Sequence, residues 1–223
     1  MNFLRNSYRQ APLTTALVLL NVVLWLLQLV PGLYLTDRLV FTPLAMGSSE
    51  PWRAITAGFI HSPDLPFHLL INMYSVYIFG QVLEPMLGKV RFAALYLISI
   101  FGGSVAVMFL APAMTFVYGA SSAVFGLMAA YLVVLRSLGG SSQGMVGLIA
   151  LNLVIGFILP GISWQAHVGG LLAGGAVASV YANTRGPKQQ TAQKISVVVI
   201  VIIFIALAIY RLQQITSGSM LSF

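Results

Sequence analysis

Gly119-Ala120-Ser121-Ser122-Ala123-Val124-Phe125-Gly126 places a serine among small residues at the mouth of an otherwise apolar segment. Small residues at a helix start let neighbouring backbones approach closely, and a hydroxyl in such a place raises a chemical question as well as a packing one. Further along, Ala166-His167-Val168-Gly169-Gly170 opens a second apolar segment with a lone histidine. Together they suggest a serine nucleophile with a histidine base, held inside a membrane.

Composition agrees with that setting. Of 223 residues, 59% are hydrophobic and 7% charged, and the mean hydropathy is +0.94, whereas soluble domains carry about a quarter charged residues. The chain reads as an all-α, polytopic membrane helix bundle, one integral domain over residues 1–223. Having no cysteine, it excludes a disulfide framework, a thiol nucleophile and a thiolate metal site. The net charge of +7 is no nucleic-acid signal, because the basic residues sit at segment ends.

Seven apolar segments follow in order. Helix 1 is expected from Pro12 to Leu33, long enough for a core of about 30 Å and without a cleavage site after it. A polar loop over residues 35–65 carries Asp37, Arg38, Glu50, Trp52, Arg53, His61 and Asp64. Helices 2 to 7 are expected over 67–87, 93–111, 119–135, 144–159, 164–181 and 195–212. The fourth and fifth are short for a span, which suits helices surrounded by protein. With a cytoplasmic N-terminus, Arg5, Arg9, Lys89, Arg91, Arg136, Arg185, Lys188 and Lys194 fall inside, while Arg38, Arg53 and Arg211 fall outside. That bias sets the orientation, with the C-terminus outside.

Helices 2, 4 and 6 then all enter from the outer face, and their early polar residues should share one depth. His68 and Asn72, Ser121, and His167 all lie within about 10 Å of those helix ends. His68 and Asn72 are one turn apart on one face. On helix 6, His167, Gly170 and Gly174 form a stripe that invites close approach, most naturally by helix 4. Singly, each has a structural explanation; jointly, polar groups at one depth on three helices imply a water-accessible site.

The chemistry is narrowed by what the chain lacks. No H-E-x-x-H motif is present, the three histidines are scattered, and Asp37, Glu50, Asp64 and Glu84 are none of them central in a span, so neither a metal site nor a twin-aspartate site is expected. Ser121 needs a base at neutral pH, and His167 is the candidate. The Ser121 amide, the His68 ring and the Asn72 amide would serve a developing oxyanion. With no buried carboxylate left to orient the histidine, the arrangement would be a dyad.

Assembled in this order, the motifs resemble those of the rhomboid intramembrane serine proteases, in their bacterial form with six core helices (about 12–183) plus one at the C-terminus (about 195–212). The resemblance rests on Pro51-Trp52-Arg53, Thr56-Ala57-Gly58-Phe59-Ile60-His61-Ser62, His68-x-x-x-Asn72, Gly80-x-x-x-Glu84, Gly119-Ala120-Ser121, Phe125-Gly126, Gly156-Phe157, Pro160-Gly161-Ile162 and Ala166-His167-x-x-Gly170-x-x-x-Gly174. It implies that Ser121 attacks a peptide carbonyl in or near a transmembrane segment while His167 takes the proton, with His68 and Asn72 holding the oxyanion. Gly119, Phe125, Gly170 and Gly174 would pack at the dyad. Trp52 and Arg53 would belong to a structured first loop, which Glu84 would tie to the bundle; helix 5 and the outer cap loop would gate access. Transmembrane protein substrates in a cell (inner) membrane are implied, with no cofactor and no nucleic acid. Three departures stand out: Ser122 where many members have glycine, Phe125 where some have tyrosine, and a wider spacing between His61 and His68. The rival readings are a catalytically inactive client-binding relative, which would generally lack the serine or the histidine, and a small proton-relay transporter.

Overall fold

The computed structural model describes residues 10–47 and 50–220, and among these the one extended pairing is a bridge between Phe41 and Val117. Arg5 and Arg9, counted above toward orientation, lie outside the described residues. In chain order come α1 (Pro12–Gln28), then α2 (Leu35–Leu39), α3 (Pro43–Gly47) and α4 (Arg53–Thr56) with a 3₁₀ turn at Ala57–Phe59. The remaining helices are α5 (Pro66–Leu87), α6 (Lys89–Leu110), α7 (Ser121–Ser137), α8 (Gln143–Ile158), α9 (Trp164–Asn183) and α10 (Gln190–Met220). Lys89–Leu110 and the stretch Pro187–Ser217 are long and apolar enough to cross a membrane; α1, α7 and α8 are apolar but shorter.

Backbone chemistry explains where the helices stop. Proline near their N-termini starts α1 and α5, where a missing N–H costs nothing. The first helix ends at Gln28 and not near Leu33, because Pro31 disfavours helical geometry before it and Gly32 takes φ 87°. Gly88, at φ 79°, both closes α5 and precedes α6, so the two form a tight hairpin and α6 begins at Lys89, earlier than the apolar pattern indicates. At the far end, α10 extends beyond the apolar stretch 195–212 at both ends, its first turns fastened by Gln193 Nε2 donating to Thr184 O and Oγ1, each at 2.9 Å.

The central element is α9, packed on α6 and α7 through small residues. A Cβ on Gly169 would collide with the Gly102 carbonyl and Ala106, one on Gly170 with the Ser122 carbonyl, and one on Gly174 with Gly126. The buried run Ser122–Ala130 makes α7 an interior helix, as its short length suggested. The eighth helix is different: only Ile149 and Gly156 are buried, so α8 is short while largely facing outward.

What was expected as a polar loop is a folded layer. Arg53 Nη1 donates to the carbonyls of Asp37 and Val40, Thr56 Oγ1 donates to Leu39 O at 3.2 Å, and Ser104 Oγ of α6 donates to Ala54 O at 2.8 Å. Arg53 Nε lies 2.8 Å from Glu50 Oε2, close enough for an ion pair but off line for a hydrogen bond. Trp52 is 49% exposed beside it. Glu84 belongs elsewhere: its carboxylate accepts from Leu13 N (2.9 Å), Thr14 N (2.7 Å) and Thr14 Oγ1 (2.7 Å). It caps the N-terminus of α1 and does not tie the first loop, which corrects the role given to it by resemblance. Free N–H groups at a helix start attract an anion, and Gly80 one turn earlier leaves the room that Thr14 fills.

Candidate active site

Ser121 is the first residue of α7 and is half-buried, whereas Ser122 beside it is buried. The turn before it is held on two sides: Gly119 N donates to Ala57 O at 2.9 Å, and Ala120 N donates to His61 Nε2 at 3.4 Å. Gly119 takes φ 117°, and a Cβ there would lie 2.8 Å from His68 Cε1 and 2.9 Å from Nε2. Only glycine serves here, both for the backbone region and for the imidazole pressed against it. The Ala120 carbonyl accepts from Val124 N at 3.0 Å and so points down the helix. The Ser121 N–H, on the other side of that same peptide, therefore points out of the helix start, as an uncommitted donor.

His167 lies in the first turn of α9, buried, its ring stacked on Phe125 with centroids 4.3 Å apart and planes 17° from parallel. Ser163 caps that turn, accepting from Ala166 N at 3.3 Å. His167 Nδ1 is buried without a hydrogen-bond partner and faces Gly156 of α8, where a Cβ would lie 3.1 Å away. Gly170, one turn below, touches the backbone of Ser122. The sequence's stripe on α9 therefore faces α7, where Phe125 stacks on His167 and Gly170 meets the backbone of Ser122, the residue next to Ser121.

His68 and Asn72 stand on the first turns of α5. His68 Nδ1 accepts from Ser62 N at 3.5 Å, which assigns the ring proton to Nε2, on the side facing Gly119. The two rings of His61 and His68 are 5.2 Å apart. Asn72 is buried and donates one amide hydrogen back to His68 O at 2.8 Å, leaving the other. His61 is fully buried, and burial with His68 alongside holds its imidazole down at about 3, neutral at every working pH. Trp52, Arg53 and Glu84 are not in this group. No cluster that could hold a metal ion forms among the described residues.

Beside His167 opens a cavity of about 400 Å³ between Thr115 and Phe116 on one side and the stretch from Gly156 to Gln165 on the other. The rhomboid domain of known proteins matches residues 48–184, a span that takes in every residue just described around Ser121 and His167. The chain belongs to the rhomboid family. It is 33% identical over 174 residues to the putative rhomboid protease YdcA of Bacillus subtilis, covering 74% of this chain and 86% of that one. It is 40% identical over 134 residues to RHOMBOID-like protein 6, mitochondrial, of Arabidopsis thaliana, covering 56% of this chain and 42% of that one. Rhomboid protease GluP of Bacillus subtilis is 31% identical over 137 residues, 58% of this chain and 26% of its own. The match thus spans less than half the length of the last two relatives. Membership makes this rhomboid an integral membrane protein.

Sequence reading passed over part of the site's support. Gly102 and Gly103 of α6 are seats for Ala173 and for the Ser122 side chain, and Ser99 fills the space beside Gly126. The adjacent glycines in an otherwise apolar helix were the available signal. His61 was noted in the first loop, in a motif and for its spacing but given no role at the site, although its ring takes the Ala120 N–H.

Proposed function

We propose that this rhomboid is a serine-type intramembrane endopeptidase in which Ser121 is the nucleophile and His167 the general base. The observation that carries the reading is the stacking of His167 on Phe125, one turn inside α7 from Ser121, with α9 drawn against that same turn by Gly170. No hydrogen bond joins Ser121 to His167 among the described residues; such contacts are commonly long without substrate and tighten as it binds.

In this mechanism Ser121 Oγ bonds to the carbonyl carbon of the scissile peptide as its proton passes to His167 Nε2, the nitrogen not buried against Gly156. The carbonyl π electrons move to oxygen, where the Ser121 N–H, His68 Nε2–H and the second amide hydrogen of Asn72 stabilise the charge. The C–N bond then breaks, the amine leaves with the proton from His167, and an ester on Ser121 remains. Water, deprotonated by His167, attacks that ester; the C–O bond breaks, Ser121 recovers its proton, and a carboxylic acid is released. The cavity bounded by Phe116, Phe157 and Trp164, next to His167, has room for side chains of the cleaved segment. Substrates are transmembrane proteins presented from the bilayer. The seven long helices among the described residues are spans, six forming the core and α10 the seventh, in a cell membrane with the site near the outer face.

Cleavage of a single-span test substrate with a helix-destabilised segment in proteoliposomes tests the reading. Ser121→Ala and His167→Ala are expected to abolish product, while Ser122→Ala keeps it. Product from Ser121→Ala would remove the nucleophile assignment. Binding without cleavage by the unaltered protein across several substrates would favour a client-binding role.

A further inference from the structure

Gln28 is the last residue of α1, outside the span matched by the rhomboid domain, and no step above uses it. Its side-chain amide is nonetheless fully engaged with the active-site side of the first loop. Nε2 donates to His61 O at 2.8 Å and to Thr36 Oγ1 at 2.9 Å, and Oε1 accepts from His61 N at 3.1 Å. Both backbone groups of His61 are thus paired with one side-chain amide, as a neighbouring strand would pair them. That two-point grip fixes the direction of the His61 peptide and with it where the imidazole stands. The ring of His61 is fully buried and puts Nε2 on the Ala120 N–H at 3.4 Å. Ala120 is the residue whose peptide link to Ser121 carries the Ser121 N–H.

We propose that Gln28 is a positioning residue for Ser121, acting from α1 through the backbone and ring of His61 on the Ala120 amide; the proposal rests on Ser121 being the nucleophile. The geometry gives three reasons for a specific relay over general packing. The Gln28 contacts are hydrogen bonds that use its oxygen and both its amide hydrogens, not apolar contacts. The path from Gln28 to the Ser121 turn runs through one residue. The other support before Ser121, Gly119 N on Ala57 O, comes from a segment anchored separately by Arg53, Thr56 and Ser104, so losing the relay leaves the turn tethered at Gly119 but removes the bond that holds the Ala120 amide. Small angular errors at a nucleophile are costly to rate because the near-attack geometry is narrow.

The test measures how fast Ser121 is acylated by a small fluorophosphonate, which reads nucleophile reactivity without a transmembrane substrate, alongside kcat and KM for the proteoliposome substrate. Gln28→Leu is expected to slow labelling and lower kcat by about tenfold or more, with KM little changed. In a His61→Ala background the same change is expected to have no further effect on labelling, because the relay is already cut. Should Gln28→Leu not give a folded protein by thermal melt, Gln28→Glu serves instead: it keeps an acceptor for His61 N but sets a carboxylate against the His61 carbonyl, and the same loss is expected. Labelling at the unaltered rate in Gln28→Leu, or losses that multiply in the double variant, would overturn the proposal. Failure of the underlying reading looks different: the unaltered protein would then take no label at Ser121.

Discussion

At the scale of single residues, the site depends on two backbones touching. Gly170 meets the Ser122 carbonyl and backbone, which cannot rotate aside as a flexible side chain could. Gly170→Ala therefore has to push α9 away from α7, taking His167 from Ser121; overpacking of this kind costs about 1–3 kcal/mol. A glycine on the next turns gives the control: a Cβ on Gly175 would lie 3.6 Å from the Ala129 Cβ, an ordinary contact. Thermal melts and the cleavage assay on the two variants should separate, with Gly170→Ala less stable and nearly inactive and Gly175→Ala unchanged in both. Equal effects would mean that helix composition, and not the close approach, governs the site. Phe125 belongs to the same contact. Its flat stack on His167 orients the ring without a polar partner, which is how a histidine with no carboxylate beside it keeps one orientation.

At the scale of elements, the first loop gives a second expectation, and its sign follows from His61. In the folded protein this imidazole is held at about 3, against an ordinary 6.5 in the unfolded chain. Between those values the unfolded chain binds a proton that the folded loop refuses, so stability is full above about pH 6.5 and falls as the pH drops toward 3. The loss approaches about 1.4 kcal/mol per pH unit. Protection against hydrogen exchange at Ala120 and across residues 57–62, measured relative to the intrinsic exchange rate at each pH, should fall between pH 7 and pH 5; protection that stays constant would exclude a neutral His61 as what holds that turn. The same loop shows what sequence could and could not convey. Long apolar runs mark their own helices, because nothing except a span or a core explains them. The short helices α2 to α4 have no such pattern: α2 and α4 are fixed by Arg53, Thr56 and Ser104 reaching carbonyls up to 50 residues away, and α3 by Leu44 N donating to Ala113 O. Glu84 was misassigned for the same reason, since its partners Leu13 and Thr14 are about 70 positions distant. The candidate site was more legible, because Ser121 and His167 each stand in the first turn of a helix and the glycines beside them mark the close approach of α7 and α9.

For the whole molecule, the orientation of the bundle decides on which side of the membrane Ser121 and His167 lie. The basic residues that gather at one end of the bundle are structurally invested there: Arg185 Nη2 donates to Ser137 Oγ at 2.6 Å, Arg91 binds Gln190, and the Arg91 guanidinium lies 6.0 Å from the Tyr181 ring centroid. Among the described residues, the opposite end holds Arg38 and Arg53 in the first loop and Arg211, which donates to Met108 O at 2.9 Å near the end of α6. If charge sets orientation, the first end faces the cytoplasm and the Ser121 end faces out. The chain contains no cysteine, so single substitutions give unambiguous labels. Asp64→Cys, in the exposed turn before α5, and Lys188→Cys, in the exposed turn before α10, sit at opposite ends. In intact cells a membrane-impermeant maleimide should modify Asp64→Cys alone, with Lys188→Cys reacting only after the membrane is opened. The reverse pattern would place Ser121 and His167 toward the cytoplasm. Substrates would then be cut on the inner side, and eight basic residues would have crossed the membrane against the rule that ordinarily retains them.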